Sequence, residues 1–184
     1  MTEENATLYR GLREVYIDRT TSSYIDGKAG RLYYRGYSID DLAENCSFEE
    51  IIYLVMIGEL PTSDQLSGFV TELKANMELP EAIIDIIKIT KDAHPMDVLR
   101  TAISALATFD PDVDDNSAEA TLRKGTRLTA QAPTIAAAHS RIREGKDPIK
   151  PNPDLSIAAN FLYMIFGEIP DPEDAKLIDK DFVL

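Results

Sequence analysis

Cysteine is almost missing from these 184 residues: Cys46 stands alone. No disulfide can form within the chain, which suits a reducing compartment. Long apolar runs are missing too, since the longest, Ile51 to Ile57, falls far short of the ~20 residues a membrane helix needs. The opening Met1-Thr2-Glu3-Glu4-Asn5 has neither the basic start nor the apolar core of a secretory leader. Basic residues are scarce, with 19 Lys and Arg against 32 Asp and Glu for a net charge of −13. A phosphate backbone rewards the opposite sign, so nucleic acid is excluded as a partner. The same charge favours solubility by self-repulsion. These absences predict a cytoplasmic chain with no membrane span, and no motif in it calls for a metal or a cofactor.

What is present reads as one helical domain. Apolar residues at 44% and charged residues at 28% are ordinary for a globular protein, and a chain this long buries roughly 70% of its unfolded surface. The fold class expected is all-α with a small N-terminal β-hairpin. The hairpin region spans about 14–37 and the helical region about 38–184. Tyr24-Ile25 and Leu32-Tyr33-Tyr34 suit a pleated, half-buried surface. Asp26-Gly27 and Gly30 supply positions for positive φ, giving a short hairpin or a wide turn. Gly36 and Ser38 end the extended run, and Ser38 can cap a helix from Ile39.

Helix punctuation follows. Ser47-Phe48-Glu49-Glu50 and Thr62-Ser63-Asp64-Gln65 are capping boxes, and Gly58 closes the first helix. Leu66, Phe69, Val70, Leu73 and Met77 form one apolar face. Ile83, Ile84, Ile86 and Ile87 follow Pro80-Glu81-Ala82, a helix start that outweighs the strand propensity of isoleucine. Pro95 opens another helix, stopped by Asp110-Pro111. Ser117 to Arg143 reads as the longest helix, alanine-rich and hence central or at a subunit interface, with a kink expected at Pro133. Gly145, Pro148, Pro151 and Pro153 make a rigid connection, and Pro153 or Asp154 begins a helix ended by Gly167. Pro172-Glu173-Asp174 begins the last, which stops on Phe182-Val183-Leu184 as if cut, or as if another chain completes it. Met56 to Pro61 and Ile165 to Pro170 echo one another; their flanks differ, so they read as shared stop-and-restart grammar and not as a repeat.

No residue stands out as catalytic, cofactor-binding or metal-ligating. His94 before Pro95 reads as a cap. His139 follows three alanines and lacks ligand partners at metal spacing. Asp110, Asp112 and Asp114 begin a calcium-loop pattern that fails at Asp115 and Thr121, leaving a solvated acidic loop. Arg123-Lys124-Gly125-Thr126 is a scrambled phosphate loop and reads as helix surface. Arg141, Arg143, Lys146 and Lys150 suit a helix C-terminus, with contact to a ligand's phosphate the other reading. Arg35 and Tyr37 read as structural, and Cys46 has no base nearby in sequence.

Four landmarks come in a familiar order: Tyr24-Ile25-Asp26-Gly27 with Gly30-Arg31-Leu32 and Tyr34 to Ile39, then Gly58 to Thr62, His94-Pro95-Met96, and Ala158 to Met164. Together they resemble citrate synthases and 2-methylcitrate synthases, closest to the shorter bacterial and archaeal form. The acidic balance resembles members from salt-loving organisms. The resemblance implies the N-terminal portion of the family's helical large domain over 1–184, with the small catalytic domain absent. It also implies a homodimer through helices near 95–109 and 117–143.

The family condenses acetyl-CoA with oxaloacetate, a tricarboxylic acid cycle acyl transfer that uses histidines and an aspartate held at separated pKa values. The resemblance places those motifs after Leu184. Three functions are therefore expected: an N-terminal citrate synthase fragment inactive alone, half of a split enzyme completed by a C-terminal chain, or a non-catalytic dimerisation module. Acyl-CoA and oxaloacetate are expected partners only of the complete enzyme.

Overall fold

Eight helices and one small antiparallel sheet make up the computed structural model, which describes residues 9–12 and 15–184. Residue 14, the lower edge of the expected hairpin region, and the opening five residues lie outside that description. Strands β1 (Ser23–Asp26) and β2 (Arg31–Tyr34) pair with Tyr24 opposite Tyr33 and Ile25 opposite Leu32. Asp26 Oδ1 accepts from the amides of Lys28 and Ala29 at 3.1 and 3.0 Å, which shapes the turn. Gly30 takes the positive φ there, at +65°; Gly27 does not, contrary to expectation.

The sheet is also larger than a hairpin. A third strand, β3 (Tyr37–Ser38), pairs with β2 through a two-residue turn. Arg35 and Gly36 in that turn have φ of +49° and +93°, the signs that a tight hairpin turn needs. An arginine in the left-handed region gives no sequence warning, so the sequence pattern ends the extended run at Gly36 where the structure turns it into β3.

Helices α1 (Ile39–Asn45), α2 (Phe48–Ile57) and α3 (Ser63–Ala75) start on Ser38, Ser47 and Thr62, whose side chains accept from the amides of Asp40, Glu50 and Gln65. Both capping boxes are complete. Helix α4 (Glu81–Ile89) buries Ile83 and Ile87, four residues apart on one face. Helix α5 (Pro95–Leu106) is followed by a 3-10 turn over Ala107–Phe109. The long helix α6 (Ala118–Arg143) runs uninterrupted through Pro133. Helix α7 (Ile157–Phe166) begins later than expected, because Ser156 and neither Pro153 nor Asp154 supplies the cap. Leu155 therefore lies outside it. Helix α8 (Pro172–Val183) begins on Asp171.

Helix α6 is the axis. Its Ile135, Ala138 and Ile142 close one core with Ile83, Ile87, Val98, Ala102 and Leu106 of α4 and α5. Ala130 joins a second core with Ile52, Phe69, Leu73, Met77 and Ile157. A third, of Leu42, Ile51, Leu54 and Val183, ties α8 to α1 and α2. The tip of Met56 from α2 lies over Gly125 of α6, where a Cβ would stand 2.9 Å from Met56 Cε.

Candidate functional site

Most polar groups singled out in the sequence are bound to structure. His94 caps α5, its Nδ1 accepting from the Met96 amide at 3.2 Å. His139 is buried, with Nε2 3.0 Å from Lys91 O; Nε2 carries the proton in that contact, because a carbonyl can only accept. Cys46 ends α1, and burial followed by the charge of Glu50 pushes its thiol pKa up, which disfavours a thiolate. Among the described residues no cluster of three or more His, Cys, Asp or Glu is placed to hold a metal ion.

The acidic loop corrects one expectation. Asp110 and Asp112 are not simply solvated. Arg127 donates to Asp110 Oδ1 at 2.7 Å and to Asp112 Oδ2 at 2.6 Å, while Arg123 reaches Asp112 Oδ1 at 2.6 Å. The guanidinium of Arg123 and then that of Arg127 hold the Asp112 carboxyl far below the usual range. Asp114 stays exposed. Of the scrambled phosphate loop, Arg123 is exposed, but Thr126 is 1% exposed and Gly125 faces Met56, so helix interior replaces helix surface at those two positions.

The basic cluster resolves into separate duties. Arg141 donates to Asp147 O at 2.6 Å and to Ile165 O at 3.0 Å, clamping the end of α7. Lys146 pairs with Glu144 and Lys150 with Glu78; Arg143 is exposed. These four cations are not gathered toward one point. Arg35 does for α2 what Arg141 does for α7, reaching Val55 O with Nε and Nη2 at 3.3 and 2.7 Å.

Two carboxylates, Glu49 buried and Asp179 half-buried, leave no mark in the sequence. Glu49, 5% exposed, accepts from the Ile157 amide at 2.8 Å and so caps α7 from α2. Asp179 accepts from the Phe48 amide at 3.2 and 3.3 Å and caps α2 from α8, beside Lys180, which donates to Ala43 O at 2.7 Å. Partners more than a hundred residues away leave no local signal. Asn160, fully buried, pins the proline-rich connection by accepting from Asn152 N and donating to Asn152 O.

Two of the open grooves are apolar. A groove of about 500 Å³ runs along α6 past Leu99, Leu128, Ala132, Ala136, Phe161 and Phe182. A second, of about 370 Å³, continues from Phe48 and Phe182 to Val55, Met56 and Leu184. Neither is lined by an ionisable side chain apart from Tyr34 in the second. Surfaces of this composition take other apolar surfaces; they do not move protons.

Fold and surface together define a helical scaffold arranged around one long alanine-rich helix. The family model described as "Citrate synthase, C-terminal domain" matches residues 11–184. A curated citrate synthase of Haloferax volcanii is 41% identical over 182 residues, which cover 96% of this chain and 48% of that protein. A 2-methylcitrate synthase 1 of Corynebacterium glutamicum is 44% identical over 159 residues, covering 86% of this chain and 42% of that protein. The crystal structure of citrate synthase from Pyrobaculum aerophilum superposes with a TM-score of 0.88 at 38% identity, over 94% of this chain and 46% of that one. The chain belongs to the citrate synthase family. It spans about half the length of the curated relatives it matches, as the landmark order led us to expect. No helix among the described residues is long and apolar enough to cross a membrane.

Proposed function

We propose that the chain is the N-terminal portion of a citrate synthase large domain, a scaffold whose condensing chemistry is supplied by further polypeptide. The observation that carries this reading is the use of the buried polar side chains. Glu49, His139 and Asn160 are each engaged by main-chain groups, which leaves them poorly placed to exchange protons with a substrate. Coverage of about half of each relative agrees with it. The complete enzyme would join acetyl-CoA to oxaloacetate.

Homodimerisation through α5 and α6 belongs to the same proposal, supported by the open apolar groove on Leu99, Leu128, Ala132 and Ala136. That groove also favours a second reading, in which a separate C-terminal chain covers it and completes a split enzyme. A non-catalytic dimerisation module is the third. Purified chain given acetyl-CoA and oxaloacetate should release no CoA; turnover in a pure sample overturns the scaffold reading. Sedimentation should show self-association that Leu128→Lys weakens, and a salt-insensitive monomer overturns the dimer.

A further inference from the structure

The turn between α7 and α8 carries an exposed apolar groove unlike the two along α6. Phe166, Ile169 and Leu177 are 67%, 68% and 66% exposed. With Leu162 and Ile178 they border a groove of about 490 Å³. Three large apolar side chains converging while two-thirds in water mark an interaction surface. The rim is charged with one sign, since Glu168, Asp171 and Asp174 line the groove and no Lys or Arg does. Elsewhere the mixed grooves carry both signs, as with Lys124 and Arg127 beside Glu78 and Asp110. On α8 itself Lys180 is engaged by Ala43 O, and Lys176 lies outside the lining.

We infer that this groove docks an amphipathic helix of a second polypeptide, with apolar anchors on one face and lysine or arginine along its flanks. The chemistry follows from complementarity. Anchors at i, i+3/i+4 and i+7 enter a hydrophobic groove, and the rim selects cationic flanks and repels acidic ones.

A labelled peptide of about 18 residues, leucine on one face and lysine on the other, tests this by fluorescence anisotropy against the whole chain. It should bind, and its glutamate counterpart should not. Leu177→Lys with Asp174→Lys should weaken binding by at least about tenfold, the scale of losing a central anchor. The same charge change on α3, Asp64→Lys with Glu72→Lys, should cost less than about threefold, as general screening predicts. Equal loss from both pairs, or equal binding of both peptides, overturns the proposal. Methyl spectra of the unmodified chain give a readout free of mutation. Peptide-induced shifts should centre on Leu162, Ile169, Leu177 and Ile178, and shifts centred on Leu99 and Leu128 overturn it.

Discussion

Two helical hairpins turn through nearly the same residues, α2–α3 at Ile57-Gly58-Glu59-Leu60-Pro61 and α7–α8 at Phe166-Gly167-Glu168-Ile169-Pro170. Both glycines sit at positive φ, +111° and +88°, and each helix end is clamped by an arginine from elsewhere, Arg35 or Arg141. Each hairpin also caps the other, since Glu49 of α2 holds the start of α7 while Asp179 of α8 holds the start of α2. The difference lies in what the turn meets. Leu60 packs against the core of Leu42, Leu54 and Val183, whereas Ile169 is 68% exposed. Local chemistry thus stops and restarts a helix, and only tertiary placement decides whether the corner is interior or surface.

The largest test of this comparison is Glu49→Ala. It strands the buried Ile157 amide, an uncompensated donor costing about 1–3 kcal/mol, and urea unfolding should show a loss near the upper end. A loss below about 0.5 kcal/mol, typical of plain surface change, would mean the two hairpins are not coupled by that cap. Next come the clamps. Arg35→Ala and Arg141→Ala should each lose about 1–2 kcal/mol, as charged donors to part-buried carbonyls do. Because the clamps serve separate corners, the double variant should be additive within about 0.5 kcal/mol. Comparable in size are Gly58→Ala and Gly167→Ala, each costing about 1–2 kcal/mol for placing a Cβ in the left-handed region. Gly167 should be the worse, because its Cβ would stand 3.3 Å from Ile149 Cδ1 while Gly58 has only Arg35 Cζ at 4.0 Å.

Helix starts were readable because a cap is a local contract between a side chain and an amide two or three residues on. Ser38, Ser47, Thr62, His94 and Ser117 all fulfil it. Pro153 and Asp154 both suit a helix start, but Ser156 supplies the cap, so α7 begins later than the sequence suggests. Core faces at Ile83 and Ile87, or Phe69 and Leu73, were readable from spacing. Long-range polar contacts were not. The Glu49 carboxylate sits in α2's first turn as any exposed acid does there, and its partner is 108 residues away. The ion cluster of Asp110 and Asp112 failed for the same reason, because its arginines lie a helix away. For the candidate surfaces, sequence gave the alanine stripe of α6 but not the exposure of Phe166, Ile169 and Leu177.

The smallest expected effect separates the Asp179 cap from the Asp112 ion pairs by pH. Burial, more than the nearby Glu50, raises the Asp179 pKa, and the Phe48 amide and Lys180 only partly oppose it. A carboxyl whose folded value exceeds its unfolded value, about 3.9, binds its proton more readily when folded. Its contribution to stability therefore rises as pH falls through the raised folded value and levels off below the unfolded one. Asp112 has the opposite sign. Arg123 and then Arg127 depress its pKa, so its contribution is complete above the unfolded value and is lost as pH falls below it. Urea midpoints at several pH values between about 7 and 3 should show the wild-type advantage over Asp179→Asn growing toward acid. The advantage over Asp112→Asn should shrink. If both shrink together, Asp179 behaves as an exposed cap, and the docking of α8 on α2 is looser than its contacts with Phe48 imply.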